Sequence, residues 1–247
     1  MSFNLGLCSI SFRKNTPVEI LTEMKNAGLI YIEWGSDVHA PQKDIEKLTN
    51  IANLQKEYNI KCSSYGTYFR IGVTPTEELQ EYINAAKILG TNVLRLWCGN
   101  KNSQDYSAEE KTALFNECKN VAAIAEENAV TVCMESHNGT YTNTEKSALE
   151  LMKAVNSKAF LMYWQPQQLL SFEENISYAQ GVSDFVKHIH VFNWKGDNRL
   201  PLADDIDSWK EYLQCFESDK TLLLEFMPDD KIETLKNESN ALKLIAK

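Results

Sequence analysis

Four residues that can bind a metal ion follow, or lie near the end of, four successive apolar runs in the second half of the chain. Glu135 ends "VTVCME", Gln165 ends "AFLMYWQ", His190 lies in "HIHVF" and Glu225 lies in "TLLLEF". Burying two carboxylates and an imidazole without a partner would be costly, so a shared cation is a better interpretation than independent polar residues. Carboxylate, imidazole and amide groups suit one divalent ion, and we expect Mn²⁺, Mg²⁺, Co²⁺ or Zn²⁺.

The apolar runs are predicted strands in a regular alternation of strand and helix. We predict strands at 3–9, 29–34, 60–65, 92–97, 129–135, 159–165, 187–192 and 220–226. Each is short and rich in Val, Ile, Leu and aromatic residues, which is typical of parallel strands covered on both faces. Between them, apolar residues such as Leu114, Cys118 and Val121 recur at spacings of three and four, which indicates amphipathic helices.

The predicted helices carry start and stop signals. The capping-box pattern, a Ser or Thr three positions before a Glu, begins at Thr16, Thr74, Ser107, Thr142 and Ser171. Residues that accept left-handed backbone at low cost stand where helices should stop, at Gly28, Asn59, Gly90 and Asn128.

Eight strand–helix units, spaced about 30 residues apart, predict a single-domain (β/α)8 TIM barrel over residues 1–247. The rival is an open doubly wound sheet, which usually has a glycine-rich phosphate-binding turn after its first strand. The corresponding segment here, "SISFRKNTP", contains no glycine. In a TIM barrel the active site forms at the C-terminal ends of the strands, so Glu135, Gln165, His190 and Glu225 should converge there.

Composition excludes several classes of partner. The formal net charge is −9, from 34 acidic and 25 basic residues, and an acidic surface repels nucleic acid. No window approaches the roughly 18 apolar residues of a membrane span. The first residues show no basic segment followed by an apolar stretch, so we expect no secretory signal and a cytoplasmic protein.

The six cysteines form no C-x-x-C pair, which favours reduced, buried thiols.

The strand-end motifs resemble those of the sugar phosphate isomerase/epimerase superfamily, whose fold is the xylose isomerase-like TIM barrel. The similar motifs are "MESH" with Glu135, "HIHVFN" with His190, "LLLEF" with Glu225, and "IEWGSDVH" with Glu33 and His39. The resemblance covers the whole chain through its strand order. The epimerase-like members hold one metal ion with Glu, Asp, His and Glu, and this chain has Gln165 where the aspartate is usual.

The resemblance implies a metal site and a reaction. Glu135, Gln165, His190 and Glu225 would bind the ion. An uncharged amide ligand should lower the affinity for the ion and leave it a stronger Lewis acid. Glu135 and Glu225 would be the catalytic acid and base, on opposite sides of a carbon next to a carbonyl, with an enediolate intermediate. The expected activity is isomerisation or epimerisation of a small unphosphorylated sugar or polyol-derived ketone.

Further residues near strand ends are predicted to contact this carbohydrate substrate. They are Glu33, His39, Tyr68, Arg95, Trp97, His137, Trp164, Lys195 and Arg199, with Trp34, Phe192 and Trp194 as additional pocket walls. The aromatic rings would cover the apolar face of a sugar, and Arg95, Lys195 and Arg199 would bind hydroxyl or carboxylate groups. We expect His188 to face away from His190 and to be structural.

Alternative functions remain open from the sequence. One is a dehydratase (lyase) acting on an inosose-like ring, and another is a carbohydrate-binding barrel without catalysis. A nuclease of the same superfamily would need several metals and more histidines than the four present. Dimers and tetramers are usual among similar barrels, so a homo-oligomer is possible.

Overall fold

Eight apolar runs of the sequence form eight parallel strands that close into a barrel in the computed structural model, which describes residues 3–247. The strands are β1 Asn4–Cys8, β2 Tyr31–Gly35, β3 Lys61–Ile71, β4 Val93–Cys98, β5 Thr131–Glu135, β6 Phe160–Trp164, β7 Val186–Val191 and β8 Thr221–Leu224. Each strand pairs with its neighbours in chain order, and β1 pairs with β8 to close the ring. The predicted TIM barrel is therefore confirmed; residues 1 and 2 of the predicted domain lie outside the described residues.

Strand ends differ slightly from the predicted ones, and the differences matter for the site. β6 stops at Trp164 and β8 at Leu224, so Gln165 and Glu225 are the first residues beyond their strands. β3 is longer than predicted, because its register against β4 shifts between Gly66 and Arg70 and pairing then resumes.

A helix follows every barrel strand. The helices are α1 Pro17–Ala27, α2 Ile45–Tyr58, α3 Leu79–Leu89, α4 Ala108–Glu127, α5 Glu145–Val155, α6 Phe172–Val182, α7 Ile206–Leu213 and α8 Leu235–Ile245. A two-stranded antiparallel hairpin, Trp194–Lys195 with Asn198–Arg199, lies between β7 and α7. Among residues 3–247 no helix is both long enough and apolar enough to cross a bilayer.

Three of the five predicted capping boxes form, at Thr16, Ser107 and Ser171. The prediction at Thr74 is wrong, because its hydroxyl accepts from the Arg70 amide and α3 begins later. The prediction at Thr142 is also wrong. Its buried hydroxyl donates to the carbonyl of Glu135 at the end of β5, and Thr144 caps α5 instead.

The predicted helix stops are mostly observed. Gly28, Asn59 and Gly90 adopt left-handed backbone immediately after their helices. Asn128 stays right-handed, and the next residue, Ala129, takes the positive φ of 55°.

Two hydrophobic cores support the site. The larger one is formed by the outward faces of the strands and the inward faces of the helices. The smaller one lies inside the barrel and includes Cys133, Tyr163 and Leu223. Each of these residues precedes a predicted site residue, Glu135, Gln165 or Glu225, by two positions, so both members of each pair face the barrel interior. The apolar layer thus forms the floor beneath a polar layer at the C-terminal end.

We predict that Gly6→Ala destabilises the barrel. A Cβ atom at Gly6 would lie 2.4 Å from the carbonyl oxygen of Tyr31 on β2, and a backbone atom cannot give way without moving the strand. We expect a loss of about 1–3 kcal/mol in the free energy of unfolding, measured by urea denaturation. Asn4→Ala on the same strand is the control. Its backbone N–H donates to the Lys220 carbonyl, and the substitution keeps this hydrogen bond. Equal stability of the two variants would contradict this packing.

Candidate metal centre and active-site pocket

The four predicted metal ligands converge around one nitrogen of His190. The Nδ1 atom of His190 lies 3.1 Å from Oε1 of Gln165. It lies 3.3 Å from Oε2 of Glu225 and 3.7 Å from Oε1 of Glu135. All four side chains are at least nine-tenths buried. Residues that are widely separated in the sequence are thus placed in one group at the C-terminal end of the barrel.

These separations fit a shared divalent ion. Two ligand atoms about 2.1 Å from one metal ion are ~3.0 Å apart at a right angle and ~3.4 Å apart at the tetrahedral angle. The distances from Nδ1 fall in or close to that range, and the donors are two carboxylates, an amide oxygen and an imidazole. Glu135, Gln165, His190 and Glu225 therefore stay the predicted ligands of a divalent ion. The buried thiol of Cys8 is a further candidate, because ligand atoms of Cys8, His190 and Glu225 all lie within 4.8 Å of one another.

The charge balance of the cluster also favours the binding of a divalent cation. Three buried carboxylates, those of Glu33, Glu135 and Glu225, lie with one buried guanidinium, that of Arg95. With a neutral His190 their formal sum is −2, which one divalent ion would neutralise. Burial lowers the pKa of His190, but its interactions with Cys8, Glu225 and Glu135 outweigh that effect and raise it well above its ordinary value. The local field therefore favours a positive charge at this position.

Arg95 organises one of the two candidate catalytic glutamates. Its Nη1 lies 2.7 Å from Oε2 of Glu135, and its Nε lies 3.3 Å from Oε1 of Glu33. The indole N–H of Trp97 also donates to Oε2 of Glu135, at 2.5 Å. Burial raises the pKa of Glu135, but the charge of Arg95 and the contact with His190 hold it well below its usual range. Glu135 is therefore a firmly ionised and restrained carboxylate.

Glu225 is held more loosely. Among residues 3–247, His190 is the cationic partner within ion-pair distance of its carboxylate, and no N–H or O–H group of the described residues donates a hydrogen bond to it. Its carboxylate lines the same cavity as Glu135. The two glutamates that the sequence treats as equivalent are thus in different environments.

A cavity of about 270 Å³ opens above the cluster. Its size is near the lower end of the range for small-molecule sites. Its apolar walls are Ile10, Tyr68, Trp97, Phe192, Trp194 and Phe226, and its polar groups include Arg13, His137, Asn138, Gln167 and Gln168. The buried Nε2 of Gln167 and Nε1 of Trp194 have no hydrogen-bond partner among the described residues, so acceptor oxygens of a ligand would suit them.

Four of the residues predicted to contact substrate line this cavity. They are Tyr68, Arg95, Trp97 and His137. Lys195 lines a neighbouring cavity that shares Phe192 and Trp194 with the first. Arg199 stacks on Trp194 and Phe226 and pairs with Asp230, so it supports the wall rather than lining the cavity.

Four other predicted contacts do not line the cavity. Trp164 packs outside the barrel against Trp209, Tyr212 and Phe216, because it is adjacent to the inward-facing Gln165. Trp34 likewise faces α2, where its N–H donates to Gln55 at 2.6 Å.

His39 and Glu33 are both buried behind the cavity wall. The ring nitrogens of His39 contact Ser9 Oγ and the Asn15 carbonyl, each at 3.1 Å, so it braces the loop after β1. Glu33 faces the barrel interior but lies behind His190 and Arg95, only 1% exposed. Neither residue can reach a substrate in the cavity.

The predicted orientation of His188 is wrong. Residues two apart on a strand share a face, and the rings of His188 and His190 both contact Tyr163 inside the barrel, at centroid distances of 5.3 and 5.0 Å. Burial lowers the pKa of His188 to about 4. A neutral histidine in the barrel floor agrees with the structural role expected for it.

Several residues that line the cavity were not identified from the sequence, among them Arg13 and Phe226. Arg13 lies after β1 and bonds Asp37 and Tyr68, at 2.5 and 2.7 Å; its position after a strand end was a usable signal. Phe226 follows Glu225 with a φ of 60°, which is uncommon for a residue other than glycine and recurs at functional sites. No sequence pattern indicated that conformation.

Comparisons with known proteins agree with this architecture. A family model described as the xylose isomerase-like TIM barrel matches residues 21–243. A 3-dehydroshikimate dehydratase of Bacillus anthracis is 24% identical over 205 residues, covering 76% of this chain and 71% of that protein.

Solved structures with the same fold share little sequence with the chain. The probable 3-DHS dehydratase AsbF of B. anthracis superimposes with a TM-score of 0.82 at 20% identity, covering 98% of this chain and 99% of that one. The D-psicose 3-epimerase of Clostridium cellulolyticum H10 has a TM-score of 0.70 at 12% identity, covering 98% and 97%. At these identities the likeness shows the fold.

We predict that Arg95→Met is strongly destabilising. The substitution keeps the length of the side chain but leaves Glu33 and Glu135 buried without their cation, which should cost about 3–5 kcal/mol. Arg13→Met is the control: it breaks a partly exposed pair with Asp37 and should cost less than about 1 kcal/mol. Chemical denaturation measures both, and similar losses would contradict the importance of the buried pair.

Proposed function

Because the chain belongs to the xylose isomerase-like TIM-barrel family, we propose that it is a metal-dependent lyase that removes water from a small hydroxylated ring ketone. The substrate class is that of 3-dehydroshikimate, on which one relative acts by name. The resemblance in sequence to that dehydratase and the size of the cavity support this choice.

The unequal environments of Glu135 and Glu225 carry the proposal. Epimerisation by two bases needs two carboxylates that can each take and return a proton. Glu135 is bound by Arg95 and Trp97, so it is poorly suited to accept a proton. Glu225 has no Arg or Trp donor among the described residues and lines the cavity, so one of its oxygens can take a proton while the other faces His190 and the ion. One free base is sufficient for elimination, because the proton that it takes can be returned to the leaving hydroxyl.

Elimination of water from such a ketone would need Glu225 as its single base. A divalent ion held by Glu135, Gln165, His190 and Glu225 would polarise the substrate carbonyl and acidify the adjacent C–H bond. Glu225 removes that proton, and the C–H electrons form a new carbon–carbon double bond. The hydroxyl on the next carbon leaves with its bonding electrons and takes the proton from Glu225, so the net loss is one water molecule.

The cavity provides the remaining interactions. Trp97, Phe192 and Trp194 offer apolar surfaces for a flat ring. The unpartnered N–H groups of Gln167 and Trp194 suit hydroxyl or carboxylate oxygens. These contacts would orient the ring and exclude water while Glu225 transfers the proton.

A ketose or polyol isomerase or epimerase is the second candidate. The fold likeness to a D-psicose 3-epimerase and the presence of two glutamates in one cavity favour it. Both candidates begin with removal of a proton next to a carbonyl, and they differ in the next step. Turnover in D₂O distinguishes them, because an epimerase returns a sugar that carries deuterium at that carbon, whereas a lyase releases a product that has lost water.

We predict that the protein with Mn²⁺ removes one water from 3-dehydroshikimate, and that the resulting cyclic dienone tautomerises to an aromatic acid. Glu225→Gln should lower kcat by about 10²–10⁴-fold, since it removes the proposed base. The exposed Glu233→Gln is the matched control and should be fully active. Product mass and ultraviolet absorbance measure the reaction. Metal binding without turnover of this ketone or of ketoses would instead support a binding barrel.

We also predict that Gln165→Asp tightens the binding of Mn²⁺. The substitution turns a neutral oxygen ligand into an anionic one, so the dissociation constant should fall at least about tenfold, or about 1.4 kcal/mol. Gln168→Asp adds the same charge at the cavity wall without a contact to His190 and is the control. Calorimetric titration compares them; an equal effect of both would show that Gln165 is not a ligand.

A further inference from the structure

The two ring nitrogens of His190 face different surroundings. Nδ1 faces Gln165, Glu135 and Glu225, as described above. Nε2 lies on the opposite side of the ring, 3.5 Å from Oε1 of Glu33. It is fully buried and makes no hydrogen bond with the described residues, and the Glu33 carboxylate lies within ion-pair distance of it. Glu33 is thus the carboxylate placed to receive a proton carried on Nε2.

Glu33 is itself held in position from several sides. Ser64 Oγ donates to its Oε2 at 2.9 Å, and Arg95 Nε donates to its Oε1 at 3.3 Å. These two contacts restrain the carboxylate, whose Oε1 also lies near Nε2 of His190. A carboxylate held in place by two hydrogen bonds therefore lies behind the histidine.

The neighbouring strand leaves room for this carboxylate. A Cβ atom at Gly66 would lie 2.6 Å from Oε1 of Glu33 and 2.9 Å from Nη2 of Arg95. The absence of a side chain on β3 at this position allows Glu33 and Arg95 to meet behind His190. Glu33 also does not line the cavity, so contact with a substrate does not explain its burial.

We propose that Glu33 is a positioning residue that keeps the proton of His190 on Nε2, so that the lone pair of Nδ1 faces the metal position. A histidine that binds metal commonly donates its other ring N–H to a carboxylate, which sets the tautomer and the ring orientation. The proposal rests on the metal site of the proposed function and adds a role for a residue of β2 that touches neither ion nor substrate.

The test combines metal affinity with the tautomer of His190. Glu33→Gln should weaken the binding of Mn²⁺ about 10–100-fold in a calorimetric titration. Glu238→Gln is the matched control. Glu238 lies on α8 and is also buried, but its carboxylate accepts a hydrogen bond from the Leu202 amide, away from His190. This variant should bind Mn²⁺ with the affinity of the wild type. Thermal melts without metal establish that both variants are folded.

Nitrogen-15 NMR of the histidines in the wild-type protein with Zn²⁺ tests the tautomer directly. His190 should show a metal-bound Nδ1 and a protonated Nε2, and the signals are assigned with His190→Gln. A protonated Nδ1 with a metal-bound Nε2 overturns the proposal. Because this measurement uses the wild-type protein, it tests the proposal even if Glu33→Gln does not fold.

The outcomes separate this inference from the proposed function. If the wild type binds the ion and a folded Glu33→Gln binds it equally well, the positioning role is overturned and the metal site stands. If the wild type binds neither Mn²⁺ nor Zn²⁺, the metal-dependent function fails and the positioning role fails with it.

Discussion

The guanidinium of Arg95 lies inside the barrel between the carboxylates of Glu33 and Glu135, and the geometry of the site depends on this pairing. All three groups are almost inaccessible to water, where attraction between opposite charges is strong and an unpaired charge is costly. The pairing links β2, β4 and β5 across the barrel interior. It also determines which oxygen of Glu135 remains available to the metal position.

The pairing with Arg95 gives the carboxylates of Glu135 and Glu225 different surroundings. Arg95 and Trp97 occupy one oxygen of Glu135 and leave the other facing His190, whereas Glu225 has no comparable donors in the described part of the chain. A site with one restrained and one free carboxylate suits a reaction that needs a single base. Gln165 fits the same electrostatics, because an aspartate there would add a further negative charge to a cluster that one divalent ion already balances.

Knowledge of the barrel made much of the site predictable from the sequence. Parallel strands bring their C-terminal ends to one edge, so the sequence predicts that Glu135, Gln165, His190 and Glu225 lie near one another. The structure places the other three side chains around Nδ1 of His190. The errors concern direction. Trp164 and Gln165 are adjacent, yet one faces the helices and the other the cavity, since successive side chains on a strand alternate. The same alternation, applied correctly, puts His188 and His190 on one face.

Contacts between side chains on different strands could not be predicted from the sequence. Glu33 and Arg95 were predicted to bind substrate because they stand near strand ends, and their mutual pairing depends on the space above Gly66 and on the register of three strands. By itself the sequence determined the barrel and the set of possible ligands, because hydrophobic periodicity and strand order are local properties. Only the tertiary structure decided which polar groups neutralise one another and which remain free for chemistry, because charges inside a barrel select partners by distance across it.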